Sequence, residues 1–179
     1  MPSLTPSLTP LSHSKTYAQL CASLQSALGP IRSELERATS LASSPVAHPD
    51  VTNEMRPGGT WSWEPLFGVG GWNALAMARF PLTTATIAAL DTSVCTNFGF
   101  AFFSRLGTRT HLRRHTGSSN LRARIHLTLT SPDAEGMWLV VGNETQHWRE
   151  GECFVLNDAY LTLPCLTLPC LTLPCLTSP

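Results

Sequence analysis

The chain has 179 residues, which is enough for one domain with a hydrophobic core. Twelve basic residues balance twelve acidic ones, and charged residues make up only 13% of the chain, well below the usual quarter. This composition argues against a nucleic-acid partner and against an anionic membrane surface, although arginines concentrate between Arg105 and Arg124.

The N-terminal residues 1–14 repeat Pro-Ser-Leu-Thr, and we expect them to be disordered. Prolines and hydroxyls stand where a signal peptide has its apolar core, and no apolar run is long enough to span a membrane. Cys21, Cys95 and Cys153 are isolated in the sequence, and the other three cysteines belong to a repeat. These features favour a reducing compartment, the cytoplasm by default.

Residues 15–42 have apolar side chains at three- and four-residue steps, which predicts a helical flank. Gly29-Pro30 predicts a break within it, with a new helix that begins at Pro30. Residues 43–59 are rich in proline and glycine, which is typical of a linker.

The next segments predict a mainly β domain over residues 60–160. Residues 61–67 alternate like a strand, and residues 82–91 are predicted to form a short helix. Further short strands are predicted at 98–106, 109–115, 121–130, 136–141 and 152–156. Helices followed by many short strands favour an α+β arrangement, namely an antiparallel sandwich or barrel with a helical flank.

Residues 161–179 form a tail in which Leu-Thr-Leu-Pro-Cys occurs three times without variation. A proline at every fifth position removes hydrogen-bond donors from a strand and interrupts a helix. The sequence therefore predicts an unstructured tail, typical of unrelated coding sequence joined to a truncated domain.

The stretch His-Thr-Gly-Ser-Ser-Asn-Leu-Arg-Ala-Arg-Ile-His at residues 115–126 predicts a polar site. A turn separates His115 from Arg122, Arg124 and His126, and the two-residue period of a strand places those three side chains on one face. Burying them without partners would be costly, whereas a bound dianion would satisfy them. Ser104, on an earlier predicted strand, could add a hydroxyl donor.

This pattern resembles the catalytic domain of the aspartyl/asparaginyl β-hydroxylases. Their hallmark is His-Thr-Gly-x-x-Asn followed by Arg-x-Arg-x-His, which residues 115–120 and 122–126 match at the same spacing. The resemblance extends over roughly residues 29–160. It includes five further segments, at residues 29–36, 60–67, 80–90, 102–106 and 142–151.

The resemblance implies a double-stranded β-helix, or cupin-like jelly roll, that holds Fe(II) and uses 2-oxoglutarate and O2. The implied reaction hydroxylates a side chain of a peptide or protein substrate. By match, His115 would be the catalytic iron ligand. Ser104, Arg124 and His126 would contact the co-substrate, and Trp61 would line its pocket.

The sequence departs from the family pattern after residue 160. The family continues with Phe-Asp-Asp-Ser-Phe-Glu-His, whose histidine is the second iron ligand, but Thr162 stands at that position here. Asp158 matches a family aspartate that is not a ligand, and His147 falls on a hairpin, so neither is a good substitute. The family's last strand is also missing. We therefore expect an impaired hydroxylase, or alternatively a catalytically inactive truncated or wrongly joined chain.

A zinc finger is the remaining alternative. Cys95, His111 and His115 have the spacing of three finger ligands. Phe98, however, stands at the second thiolate position, and Thr108 stands where a finger has its core leucine. Because a structural zinc site needs four ligands, the sequence favours the hydroxylase.

Overall fold

Two consecutive helices begin the part of the chain that the computed structural model describes, which comprises residues 15–41, 46–47, 57–90, 99–116, 123–157, 162–166 and 170–177. They are α1 (Lys15–Ser26) and α2 (Leu28–Leu41), so the predicted helical flank is confirmed. The break lies at Ala27, and Pro30 falls in the first turn of α2. Main-chain N–H groups in the first turn have no partner within the helix, so the missing N–H of proline costs no helical hydrogen bond. None of the described helices is long and apolar enough to cross a membrane.

The described strands form two antiparallel sheets. In chain order, the strands and remaining helices are β1 (Val46–Ala47), β2 (Trp61–Gly68), β3 (Gly71–Trp72), α3 (Ala74–Arg79), α4 (Pro81–Ala88), β4 (Phe100–Leu106), β5 (Ala123–Thr130), β6 (Met137–Val141), β7 (Glu144–His147), β8 (Cys153–Asn157), β9 (Thr162–Leu166) and β10 (Cys170–Thr177). The larger sheet has the order β1-β2-β4-β10-β5-β8, with β3 also paired to β2, and the smaller has the order β7-β6-β9. The predicted class, a mainly β jelly roll with N-terminal helices, is confirmed.

Each face of the larger sheet is covered by a separate apolar core. On one face, Ile125 and Leu127 of β5 pack in a cluster that includes Leu24 of α1 and Ile31 of α2. The opposite face meets the smaller sheet, and that second cluster includes Trp61, Met137, Leu139, Trp148 and Phe154. Since side chains alternate along a strand, the even-numbered residues of β5 face this interior between the sheets.

The helices α3 and α4 connect the flank to the sheets. A helix was predicted at residues 82–91, and α4 begins one residue earlier and ends at Ala88, while α3 and β3 were not predicted. The buried carboxylate of Glu34 on α2 accepts hydrogen bonds from the main-chain nitrogens of Leu82 and Thr83, at 2.7 and 2.8 Å. It thereby satisfies N–H groups at the first turn of α4 that have no partner within the helix.

The prediction of a strand at residues 109–115 is wrong, because the structure has only isolated bridges there, at His111, Leu112 and His115. Arg109 has a φ of 56°, which a regular strand does not accommodate. The buried Thr110 hydroxyl accepts from Thr60 N at 3.1 Å and donates to Gly107 O at 2.8 Å. These side-chain bonds hold the segment as an anchored loop.

The prediction of an unstructured tail is wrong for residues 162–166 and 170–177, which form β9 and β10. The strand β9 pairs with β6, and β10 lies between β4 and β5. A proline removes one donor, which points to only one neighbouring strand, so pairing on the other side can continue. Pro174 pairs with His126 of β5, whereas the ladder to β4 has a gap between Thr172 and Cys175. The predicted linker also contains a strand, since Val46–Ala47 pairs with β2.

The expectation that the isolated cysteines are reduced is wrong for one pair. Cys21 of α1 and Cys153 of β8 form a disulfide, with their Cα atoms 5.5 Å apart. Their 132-residue separation left no local signal in the sequence. The argument for a reducing compartment therefore fails for this pair, since oxidising compartments are where disulfides persist. Cys95 lies outside the described residues.

Candidate active site in the sheet interior

His126 lies at the centre of the polar part of the interior and is only 8% exposed. Its ring stacks on Phe154 with centroids 5.1 Å apart, and Phe154 is its register partner on β8. The indole of Trp148 stacks at 6.3 Å. The imidazole is thus held between aromatic rings rather than exposed to water.

The hydrogen bond from Trp148 determines which nitrogen of His126 carries the proton. Trp148 Nε1 donates to His126 Nδ1 at 3.3 Å, and an indole N–H can only donate. Nδ1 is therefore the acceptor, and in the neutral ring the proton is on Nε2. Burial, assisted by the positive charge of Arg124, lowers the pKa of His126 to about 3, so the ring stays neutral at physiological pH.

The Nε2 atom of His126 is buried, and it has no hydrogen-bond partner among the described residues. A buried N–H donor of this kind calls for an acceptor, because leaving it unpaired costs free energy. The sequence did not single out Trp148 as the residue that sets this state. The signal was present, since Trp148 lies in the segment 142–151 that carried part of the resemblance.

Ser104 and Trp61 are brought into direct contact. Trp61 Nε1 donates to Ser104 Oγ at 3.1 Å, and both side chains are buried. Because the bond uses Ser104 as an acceptor, its hydroxyl hydrogen can still point to a ligand. The strand β10 lies between Ser104 on β4 and the strand that carries His126, so the two main chains are two strand spacings apart, roughly 10 Å.

Arg124 lies two residues before His126 on β5 and is half-buried. Both residues face the interior, with Leu156 and Phe154 of β8 as their register partners. The positive charge of Arg124 is the second cause, after burial, of the lowered pKa of His126. Arg122, the other arginine of the predicted face, lies outside the described residues.

His115 is half-buried, and its ring orientation is set by its own loop. Its Nδ1 lies 2.7 Å from the carbonyl oxygen of Arg113. Since a carbonyl can only accept, Nδ1 carries the proton and the lone pair of the neutral ring is on Nε2. Metal-binding histidines are commonly held in this way by a main-chain carbonyl. The role of His115 as a ligand stays a prediction.

The structure describes the other residues considered for the metal site only in part. Within the described residues, no group of three His, Cys, Asp or Glu side chains could hold a metal ion. The main chain of Thr162 pairs with Val141 on β6. His147 is at the end of β7, with Nδ1 2.9 Å from the carbonyl oxygen of Ala134. Asp158, the other possible substitute for the missing iron ligand, lies outside the described residues. So does Cys95, a ligand in the zinc-finger alternative.

The interior face therefore presents hydrogen-bond donors and a positive charge. These come from Ser104, Arg124 and His126, and from the hydroxyl of Thr128, which the motif did not include. Such an arrangement is suited to a small dianion, because carboxylate oxygens accept several hydrogen bonds and guanidinium groups bind them strongly.

The low pKa of His126 predicts a pH-dependent stability. Between about pH 6.5 and 3 the unfolded chain protonates this histidine and the folded chain does not, so the unfolding free energy falls as the pH falls. The expected contribution is about 1 kcal/mol per pH unit. Urea unfolding between pH 7 and 4 should show a shallower decline for His126→Gln than for wild type, while the exposed-site control His111→Gln should follow wild type. Parallel curves for His126→Gln and wild type would contradict the prediction.

Comparisons with known proteins identify the family of this chain. A family model described as "Aspartyl/Asparaginyl beta-hydroxylase" matches residues 25–161. The human aspartate beta-hydroxylase domain-containing protein 2 is 36% identical over 59% of this chain and 28% of its own length. The mouse aspartyl/asparaginyl beta-hydroxylase is 32% identical over 59% of this chain and 14% of its own length. The chain thus matches less than a third of either relative.

Among solved structures, a cupin-2 domain protein from Rhodospirillum rubrum is similar, with a TM-score of 0.46 and 10% identity over 76% of this chain and 70% of that one. The Cupin_2 domain of an Enterobacter cloacae transcriptional regulator has a TM-score of 0.44 and 9% identity, and covers 66% of this chain and 97% of that one. The match of the family model spans most of the sequence, including all the candidate site residues. The chain belongs to the aspartyl/asparaginyl β-hydroxylase family.

Proposed function

We propose that this chain carries the co-substrate half of an Fe(II)- and 2-oxoglutarate-dependent hydroxylase site, and that its turnover is impaired at the metal. The observation that carries the proposal is the buried Nε2–H of His126, a neutral donor without a partner among the described residues. Family membership supplies the reaction type, which is hydroxylation.

The interior residues would hold 2-oxoglutarate. The guanidinium of Arg124 would neutralise one carboxylate, and His126 would donate to the same ligand from Nε2. Ser104, positioned by Trp61, would donate from the neighbouring part of the sheet. The aromatic rings of Trp148 and Phe154 would exclude water, which strengthens these hydrogen bonds.

His115 would hold the iron through Nε2, which its bond to the Arg113 carbonyl leaves as the lone-pair nitrogen. When bound, Fe(II) would supply the O2-dependent oxidation that hydroxylates a C–H bond and converts 2-oxoglutarate to succinate and CO2. The second histidine of the family pattern is replaced by Thr162, and a neutral hydroxyl is a poorer ligand for Fe(II) than an imidazole. We therefore expect weak iron binding and little turnover.

The substrate that we propose is a peptide or protein side chain. The names of the matched relatives, aspartate and aspartyl/asparaginyl beta-hydroxylases, support an aspartyl or asparaginyl side chain as the group that is hydroxylated. The net charge of zero argues against a nucleic-acid partner.

A second candidate is a non-catalytic binding protein for 2-oxoglutarate or a related dicarboxylate. The combination of an intact donor face around His126 with Thr162 at the ligand position favours it. In that case binding would survive while hydroxylation would be absent.

Calorimetric titration with 2-oxoglutarate and detection of succinate by NMR separate these possibilities. We expect measurable 2-oxoglutarate binding that Arg124→Met weakens, while Arg114→Met, which changes an exposed arginine, does not. With Fe(II) and ascorbate, we expect little succinate. Robust succinate formation that is lost in His115→Ala would refute the proposed impairment, and unaltered affinity in Arg124→Met would refute the proposed site.

A further inference from the structure

Thr128 is the most deeply buried polar residue on the interior face of β5. It lies two residues beyond His126, and its exposed fraction is 0%. Its main chain is fully bonded, since its N–H donates to Glu152 O and its carbonyl accepts from Gly151 N, both at 2.9 Å. Its hydroxyl oxygen, by contrast, has no hydrogen-bond partner among the described residues.

This hydroxyl is unfavourable for folding unless something else binds it. A buried hydroxyl that has left water without a new partner destabilises the folded state, whereas a methyl group of the same shape does not carry that cost. Valine in place of threonine has the same shape, and the interior on this face of β5 has an apolar cluster that includes Met137 and Leu139. The hydroxyl therefore requires an explanation outside the packing of the core.

The sheet register places Thr128 next to His126 and in the same row as Ser104. Thr172 of β10 pairs with Ser104 on one side and with Thr128 on the other, so Ser104 and Thr128 share one row across the sheet. Along β5, His126 is the next residue on the same face, roughly 7 Å away. The unpartnered hydroxyl and the unpartnered Nε2–H of His126 thus face the same interior.

We propose that Thr128 is a further binding residue for 2-oxoglutarate, with its hydroxyl donating to a carboxylate oxygen of the co-substrate. This inference rests on the proposed function of the His126 site. Bound 2-oxoglutarate would satisfy the two orphaned atoms together, since each is a donor and each carboxylate oxygen is an acceptor. The Arg-x-Arg-x-His pattern ends at His126, and Thr128 extends the binding face beyond it.

The experiment compares Thr128→Val and Thr128→Ser with wild type in metal-free protein, with 2-oxoglutarate as the titrant in calorimetry. We expect Thr128→Val to weaken binding about tenfold, because a hydrogen bond to a charged group is lost. Thr128→Ser, which keeps the hydroxyl, should bind within about threefold of wild type. The thermal unfolding midpoint of ligand-free Thr128→Val should equal or exceed that of wild type, because no partner in the folded chain is lost.

The outcomes separate this inference from the proposed function. Equal affinity of wild type and Thr128→Val, with Arg124→Met still weakened, overturns the role of Thr128 and leaves the proposed site in place. A lower unfolding midpoint for ligand-free Thr128→Val, with unchanged affinity, shows a structural hydroxyl and also overturns it. No binding by wild type overturns the proposed site and this inference together.

Discussion

Replacing Thr162 by histidine is expected to increase Fe(II) affinity by about tenfold or more and to raise succinate formation from a low background. Thr162 stands at the position of the second histidine in the family pattern, and its main chain is held in the smaller sheet by pairing with Val141. A second imidazole would add a ligand that suits Fe(II), so that two histidines, at positions 115 and 162, would hold the ion. Equilibrium dialysis with Mn(II), a redox-inert stand-in, and NMR detection of succinate with Fe(II) measure the two effects.

The matched controls for this variant are Thr162→Ala and the double variant Thr162→His/His115→Ala. Thr162→Ala should behave like wild type, because the hydroxyl is not expected to hold the metal. The double variant should lose the gain, because only one imidazole remains. If Thr162→His binds Mn(II) no better than Thr162→Ala, the assignment of position 162 to the metal site is wrong.

Loss of the Cys21–Cys153 disulfide is expected to lower the free energy of unfolding by about 3 kcal/mol. The bond closes a loop between residues 132 positions apart, joining α1 to β8. Breaking it enlarges the conformational freedom of the unfolded chain, which favours unfolding. Urea unfolding of oxidised and dithiothreitol-reduced wild type measures the change without altering any side chain.

Two variants test whether the effect belongs to this bond. Cys21→Ala/Cys153→Ala should be insensitive to dithiothreitol, and Cys95→Ala should keep the full difference between oxidised and reduced protein. Peptide mapping by mass spectrometry without reduction should find the Cys21–Cys153 linkage. Equal stability of oxidised and reduced wild type would contradict the prediction.

The oxidation state of the Cys21–Cys153 pair also affects the candidate site, because Cys153 lies on β8 next to a residue of that site. Cys153 is adjacent to Phe154, whose ring stacks on His126 at 5.1 Å. The disulfide therefore restrains the strand that forms one wall of the interior. Binding titrations should be performed on protein of defined oxidation state.

The sequence by itself determined the elements whose evidence is local. Apolar spacing predicted the helical flank, and alternation predicted β2, β4, β5, β6 and β8 to within a few residues. The residues of the motif that starts at His115 were sufficient to predict the family and the shared face of Arg124 and His126. Period two assigns side chains to faces of a strand, but it does not show what lies opposite them.

Only the tertiary structure decided what those faces contact. The insertion of β10 between β4 and β5, the Cys21–Cys153 disulfide and the bond from Trp148 to His126 all join distant parts of the chain. The loop at residues 109–115 has an alternating pattern, yet the bonds of the Thr110 hydroxyl to Thr60 and Gly107 decide its conformation. Likewise, Thr128 alternates like any strand residue, and only the packed interior shows that its hydroxyl is buried and unsatisfied. Such contacts depend on register and packing between elements, which the local pattern of a single sequence does not encode.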